Sequence, residues 1–99
     1  MQKEDYIQTL HPLTGKKNKK ILLKKYEVIK ENLLSILSDS ELTHTELMEA
    51  LYNRVKDSFE GGIQWYGETV KLDLEAREMI ERTTGKLAKY RIKIQSPDR

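Results

Sequence analysis

The chain has 99 residues, 37% of them hydrophobic and 34% charged, with a formal net charge of +2. A chain of this length forms one domain around one modest core. It contains no cysteine, which excludes disulfides and thiolate chemistry, and no apolar run approaches the ~20 residues of a membrane span.

Charge is spread unevenly. Residues 1–30 carry a net +5, residues 31–80 a net −7 and residues 81–99 a net +4. Blocks of this kind say more about partners than the average does. The opening residues, Met1 to Tyr6, have no apolar stretch of the signal-peptide kind, so a cytoplasmic location is expected.

Residues 1–20 read as a basic N-terminal arm. His11-Pro12 and Gly15 interrupt regular structure, and Pro12 biases His11 toward an extended conformation. Lys16, Lys17, Lys19 and Lys20 surround Asn18. Such a block is either a solvated tail or an arm that contacts phosphates. Ile21-Leu22-Leu23 follows, too short to distinguish an edge strand from the lead-in to a helix.

The spacing predicts a first helix over residues 24–38, with Tyr26, Ile29, Leu33, Ile36 and Leu37 on one stripe and Leu34 widening it. Ser38-Asp39-Ser40 favours turns and ends it. A second helix opens at Thr43, where Thr43 with Glu46 fits a capping box and Leu42 with Leu47 a hydrophobic staple. Leu47, Leu51 and Val55 form its apolar stripe. Residues 57–64 then connect, with Phe59 or Ile63 expected to anchor the loop.

A third helix is predicted over residues 65–80. On a wheel, Trp65, Thr69, Leu72, Ala76, Met79 and Ile80 fill the apolar arc, extended by Tyr66, Val70 and Leu74. Glu68, Lys71, Glu75 and Glu78 fall opposite. Asp73 and Arg77 lie four apart on one face and should pair, with a value of ~0.2–0.5 kcal/mol for an exposed helical pair. Thr83-Thr84-Gly85-Lys86 signals a turn. Ala88, Tyr90, Ile92 and Ile94 then alternate with Lys89, Arg91 and Lys93, a strand with one apolar and one basic face. The core is expected to join Leu33, Leu37, Leu47, Leu51, Leu72, Ala76 and Ile80 with Tyr90 or Ile92. Residues 95–99, with Pro97, read as a flexible tail.

The residues give catalysis little to work with. His11 and His44 show no metal-ligand spacing, and Gly61-Gly62 lacks the Lys-Ser/Thr of a phosphate loop. No cofactor or metal is expected. Tyr26, Tyr52, Phe59, Trp65 and Tyr66 read first as packing residues, although Trp65-Tyr66 would also suit a partner pocket.

Nucleic-acid affinity depends on Lys and Arg displacing phosphate counterions. The third helix offers Glu68, Glu75 and Glu78 against Lys71, which opposes docking in a major groove. Positive charge lies instead in Lys16, Lys17, Lys19 and Lys20 and on the ladder Lys86, Lys89, Arg91 and Lys93, with Arg82 nearby. The arm lysines and the ladder are the candidate nucleic-acid-binding residues. Glu68, Glu75 and Glu78 are the candidate partner-binding residues if the target is instead a basic protein.

Residues 21–94 resemble winged helix-turn-helix domains in element order: three helices, then a hairpin. A closer likeness is to a small bacterial family of uncharacterised winged-helix-like proteins. It is carried by His11-Pro12 to Lys17, by Leu42-Thr43-His44-Thr45-Glu46-Leu47, and by the run from Trp65 to Arg77. That resemblance implies the fold and a bacterial origin. It implies no activity and assigns no functional residue.

The expectation is therefore an α+β, three-helix winged helix-turn-helix domain over residues 21–94, with a C-terminal β-hairpin wing. The expected function is a small non-enzymatic regulatory protein that binds nucleic acid, with double-stranded DNA as the candidate, through wing and arm. The alternative is a protein–protein interaction module using its acidic third helix. Membrane contact is not expected, and a homodimer is compatible with either reading.

Overall fold

The computed structural model describes residues 4–93. Within them the chain is α+β, with three helices and two small antiparallel sheets. In chain order the elements are β1 (Tyr6–Gln8), β2 (Lys20–Leu22), α1 (Leu23–Ile36), β3 (Leu42–Thr43), α2 (His44–Val55), α3 (Ile63–Ala76), β4 (Ile80–Arg82) and β5 (Lys89–Ile92). One sheet pairs β1 with β2; in the other, β5 lies between β3 and β4. Ile94 and the expected tail lie outside the described residues.

The core forms where the three apolar stripes meet. Ile29 and Leu33 of α1, Leu47 and Leu51 of α2, and Val70 and Leu74 of α3 are fully buried, and Ile80 and Tyr90 close the core from the sheet. The cap of α2 is as expected. Thr43 Oγ1 accepts the Glu46 N–H at 3.2 Å, and Glu46 Oε1 accepts the Thr43 N–H at 3.0 Å. Both Phe59 and Ile63 pack on the core beneath the connection between α2 and α3. Lys25 pins that connection from α1, donating to the Glu60 carbonyl at 2.8 Å with its ammonium over the Phe59 and Tyr66 rings.

The described part of residues 1–20, read above as an arm, instead forms with Ile21 and Leu22 a hairpin docked on the helices. Tyr6 pairs with Leu22, Ile7 with Ile21 and Gln8 with Lys20. Ile21 is buried and Ile7 packs against the core. The short apolar run thus serves both purposes: Ile21-Leu22 ends β2 and Leu23 begins α1.

Two expectations about α3 are corrected. It ends at Ala76, not Ile80. The Glu78 N–H bonds to the Glu75 carbonyl and the Met79 N–H to the Leu74 carbonyl, with Glu78 at φ 64°. This is the Schellman closure, in which a left-handed residue turns the chain out of the helix. Ile80 thereby enters β4. The buried face is also rotated. Val70 and Leu74 fill the core while Leu72 and Ala76 are only half-buried and Trp65 is exposed. The cause is that Lys71 and Asp73, 4% and 0% exposed, are also covered, one on each flank of the helix.

Asp73 carries the hairpin. Its Oδ1 accepts the Leu10 N–H at 2.8 Å, its Oδ2 accepts the Tyr26 hydroxyl at 2.6 Å, and Arg77 Nε donates to both oxygens at 2.9 and 2.8 Å. The carboxylate therefore joins α1, α3 and the N-terminal hairpin. Burial, then the hydrogen bond to Asp73, pushes the Tyr26 hydroxyl well above the usual tyrosine range. The 73–77 pair forms as expected, but Asp73 is buried and shared, so the value for an exposed helical pair does not apply.

These contacts set the cost of two kinds of substitution. A Cβ on Gly67 would lie 2.8 Å from both Leu51 Cδ2 and Met48 Sδ, so α2 and α3 approach through this glycine. Alanine gains ~1 kcal/mol of helix propensity, against ~1–3 kcal/mol for overpacking. Gly67→Ala should therefore destabilise by about 1 kcal/mol in urea unfolding, and Gly67→Val by more; a stabilised Gly67→Ala variant would show that the helices part freely. Asp73→Asn leaves a buried donor facing donors and should cost about 2–4 kcal/mol. Tyr26→Phe should cost about 1.5–3 kcal/mol. A change within about 0.5 kcal/mol for Asp73→Asn, the range of ordinary surface substitutions, would remove the carboxylate from any structural role.

Candidate nucleic-acid interface

Lys16, Lys17, Lys19 and Lys20 lie on the docked hairpin, and all four are exposed. None makes an ion pair among the described residues. Their positions are set by the backbone and by Asn18. Asn18 Nδ2 donates to the Leu10 carbonyl at 2.9 Å and to the Thr69 carbonyl of α3 at 3.0 Å, and its Oδ1 accepts the Lys19 N–H at 2.9 Å. Thr9 is buried and bonds through both its N–H and its hydroxyl to the Lys19 carbonyl. The tip turns at Gly15, with φ 85° and a Lys16 N–H to Leu13 carbonyl bond. At φ > 0 glycine avoids the cost that a side chain would add.

The second cationic element is the hairpin of β4 and β5. Its register places Glu81 opposite Arg91 and Arg82 opposite Tyr90, while Thr43 of β3 lies opposite Lys89. The expected alternation is present: Lys89 and Arg91 face outward and Tyr90 inward. The outer face, however, is not a basic ladder. Arg91 donates to Glu81 at 2.7 Å and to Glu41 at 3.1 Å, and Lys93 pairs with Glu78 at 3.0 Å. Lys86 and Lys89 remain exposed without an ion-pair partner among the described residues. Leu87 projects at the tip, 68% exposed.

The acidic face expected on α3 is dispersed in the same way. Glu75 is 10% exposed in its side chain and pairs with Lys71 at 3.4 Å and Arg82 at 3.8 Å. Lys71 lies with its ammonium 4.0 Å from the centre of the Tyr90 ring, and the Arg82 guanidinium is 5.5 Å from the same ring. Glu78 lies beyond the helix and holds Lys93. Only Glu68 of the three acids is exposed and outside an ion pair among the described residues.

Sequence reasoning missed Asn18, Asp73 and the Lys71–Tyr90–Arg82 stack as the groups that position these surfaces. A signal was present in the order Lys71, Asp73, Glu75, Arg77. Residues two apart point to opposite sides of a helix, so this run demands polar partners on both flanks. The aromatic pair Trp65–Tyr66 meets edge to face at 4.9 Å, with Tyr66 against Phe59 at 5.1 Å.

A family model matches residues 6–90, from the first strand to the inward tyrosine of the last. The chain belongs to the family of unknown function DUF6958. The matched region includes the N-terminal hairpin, so hairpin and helices fall within one family unit. No curated protein and no solved structure matches the chain. No helix among the described residues is long and apolar enough to cross a membrane.

His44, the first residue of α2, has its pKa held below the usual histidine value. Burial is the main cause, followed by the charge of Lys71, with Glu68 opposing. The unfolded chain protonates this imidazole near pH ~6.5. The folded chain then binds fewer protons than the unfolded one, so the His44 contribution is intact above that pH and is lost as pH falls below it. Thermal unfolding from about pH 8 to about pH 5 should show a smaller acid loss in His44→Gln than in the wild type. Parallel curves would show that His44 titrates as it does in the unfolded chain.

Proposed function

We propose that this protein is a small, non-enzymatic winged-helix regulator that holds double-stranded DNA by its phosphates. The N-terminal hairpin is the principal contact and the β4–β5 tip the secondary one. The fold part of this reading rests on element order. A helix, a short strand, two helices and a β-hairpin follow one another, and the short strand completes the hairpin's sheet.

The functional part rests on one observation. The hairpin lysines are exposed and unpaired among the described residues, while the acids that would repel DNA are largely engaged by internal cations. Phosphate binding gains from cations that have no competing carboxylate, because no internal ion pair has to be given up when they neutralise a phosphate and release its counterion. The pairing of Arg91 with two glutamates lowers its availability, and Lys93 is likewise committed. The alternative, a module that meets a basic protein through α3, is weakened because, of Glu68, Glu75 and Glu78, only Glu68 is outside an ion pair among the described residues.

Duplex binding measured against salt tests the proposal. Replacing Lys16, Lys17, Lys19 and Lys20 together by Gln should weaken binding and flatten the log–log slope by about 0.9 for each phosphate that is no longer neutralised. Arg91→Gln should change affinity by less than about twofold, in keeping with an exposed paired charge. If no duplex binding appears at low salt, and an extract protein is instead captured and lost with Glu68→Lys, the interaction module is the correct reading.

A further inference from the structure

We infer that the tip of the N-terminal hairpin holds a phosphate-binding pocket, sized for a phosphate together with the sugar that carries it. The inference deepens the DNA reading and rests on it only for the identity of the ligand. A cavity of ≈ 540 Å³ opens between the hairpin and the end of α3, where Ala76 forms its wall. Lys16, Lys17 and His11 supply its charged and titratable lining, and no carboxylate among the described residues lines it. Each of the three other cavities described does carry one: Asp39 and Glu41 in the first, Glu49 in the second, Glu60 in the third. An anion is therefore favoured at this cavity above the others. A volume of this size exceeds what a bare phosphate needs and falls within the range of small-molecule clefts, ~300–1,000 Å³.

Hydrogen bonds within the protein hold three points of the wall, at Leu10, His11 and Asn18. Asn18 uses both its amide group and its carbonyl within the protein. The neighbouring Leu10 N–H is held by Asp73. His11 Nδ1 accepts the Leu13 N–H at 3.1 Å. That bond places the imidazole proton of the neutral ring on Nε2, leaving a donor for an anion. The two lysines add charge immediately after the turn at Gly15. Each wall residue held in this way lowers the conformational entropy that binding must cost.

The test is an NMR titration of the full chain with inorganic phosphate, read at the amides of Thr14, Gly15, Lys16 and Lys17, run beside a duplex titration. Saturable shifts confined to these amides are expected, with affinity reduced roughly tenfold in the Lys16→Gln, Lys17→Gln double variant. Lys56→Gln, at the far end of α2, should leave the phosphate titration unchanged. All three positions are exposed, so the fold is retained. Absence of saturable shifts at the loop overturns the pocket, even if duplex binds. Phosphate shifts of equal strength in the double variant also overturn it. Loop shifts with phosphate but none with duplex keep the pocket and remove DNA as its source, leaving a free phosphorylated sugar as the ligand.

Discussion

The Asp73 carboxylate lies entirely out of water at the junction of α1, α3 and the N-terminal hairpin. A carboxylate in that position is tolerated only if its lone pairs are occupied and a cation is close. Arg77, Tyr26 and the Leu10 backbone meet that demand together. The constraint runs both ways. The hairpin has few buried apolar residues of its own, chiefly Ile21 and Ile7, and gains its fixed seat from the polar bonds to Asp73 and Thr69. Two three-residue strands alone would be marginal in water. Everything presented by the hairpin, lysines included, therefore depends on a charge inside the protein.

The other flank of α3 is built on the opposite sign. There Lys71 is the buried ion, stacked on Tyr90 and paired with Glu75, which also draws in Arg82. A desolvated cation over an aromatic face gains up to ~2 kcal/mol, more than a surface ion pair returns. This explains why α3 shows so little of the acidic face that its sequence suggests. Each flank carries a pair of opposite charges, Lys71–Glu75 and Asp73–Arg77, because one flank meets the β3–β5–β4 sheet and the other the hairpin. A third helix with a single apolar stripe would need neither.

How far the sequence reveals this depends on the kind of interaction. The stripes of α1 and α2, the Thr43–Glu46 cap and the alternation through Tyr90 are set by nearest neighbours at helical or strand spacing, and each is legible. The end of α3 is not, because Met79 and Ile80 continue the apolar period and the left-handed position is filled by Glu78 where a glycine would have announced it. The hairpin is hidden for another reason. Its strands are three residues each, too short to show a period, and its seat is made by Asn18 and Asp73, residues far apart in the chain. Composition marks residues 1–20 as basic, but pairing across such a distance leaves no local trace.

The same distinction governs the candidate interface. Counting lysines and arginines gives the two hairpins equal weight. Pairing separates them, since strand register sets Arg91 against Glu81 whether or not a ligand is present. In β5 the cation is opposite an acid by the geometry of the sheet. In the N-terminal hairpin the residue opposite Lys20 is Gln8, an uncharged side chain committed to the Thr9 and Asn18 carbonyls. Neutral cross-strand neighbours leave a cation available to solvent, while acidic ones hold it to the sheet. Among the described residues, unpaired positive charge therefore gathers on the hairpin beside α3 more than on the β4–β5 hairpin, although the two carry similar numbers of basic residues.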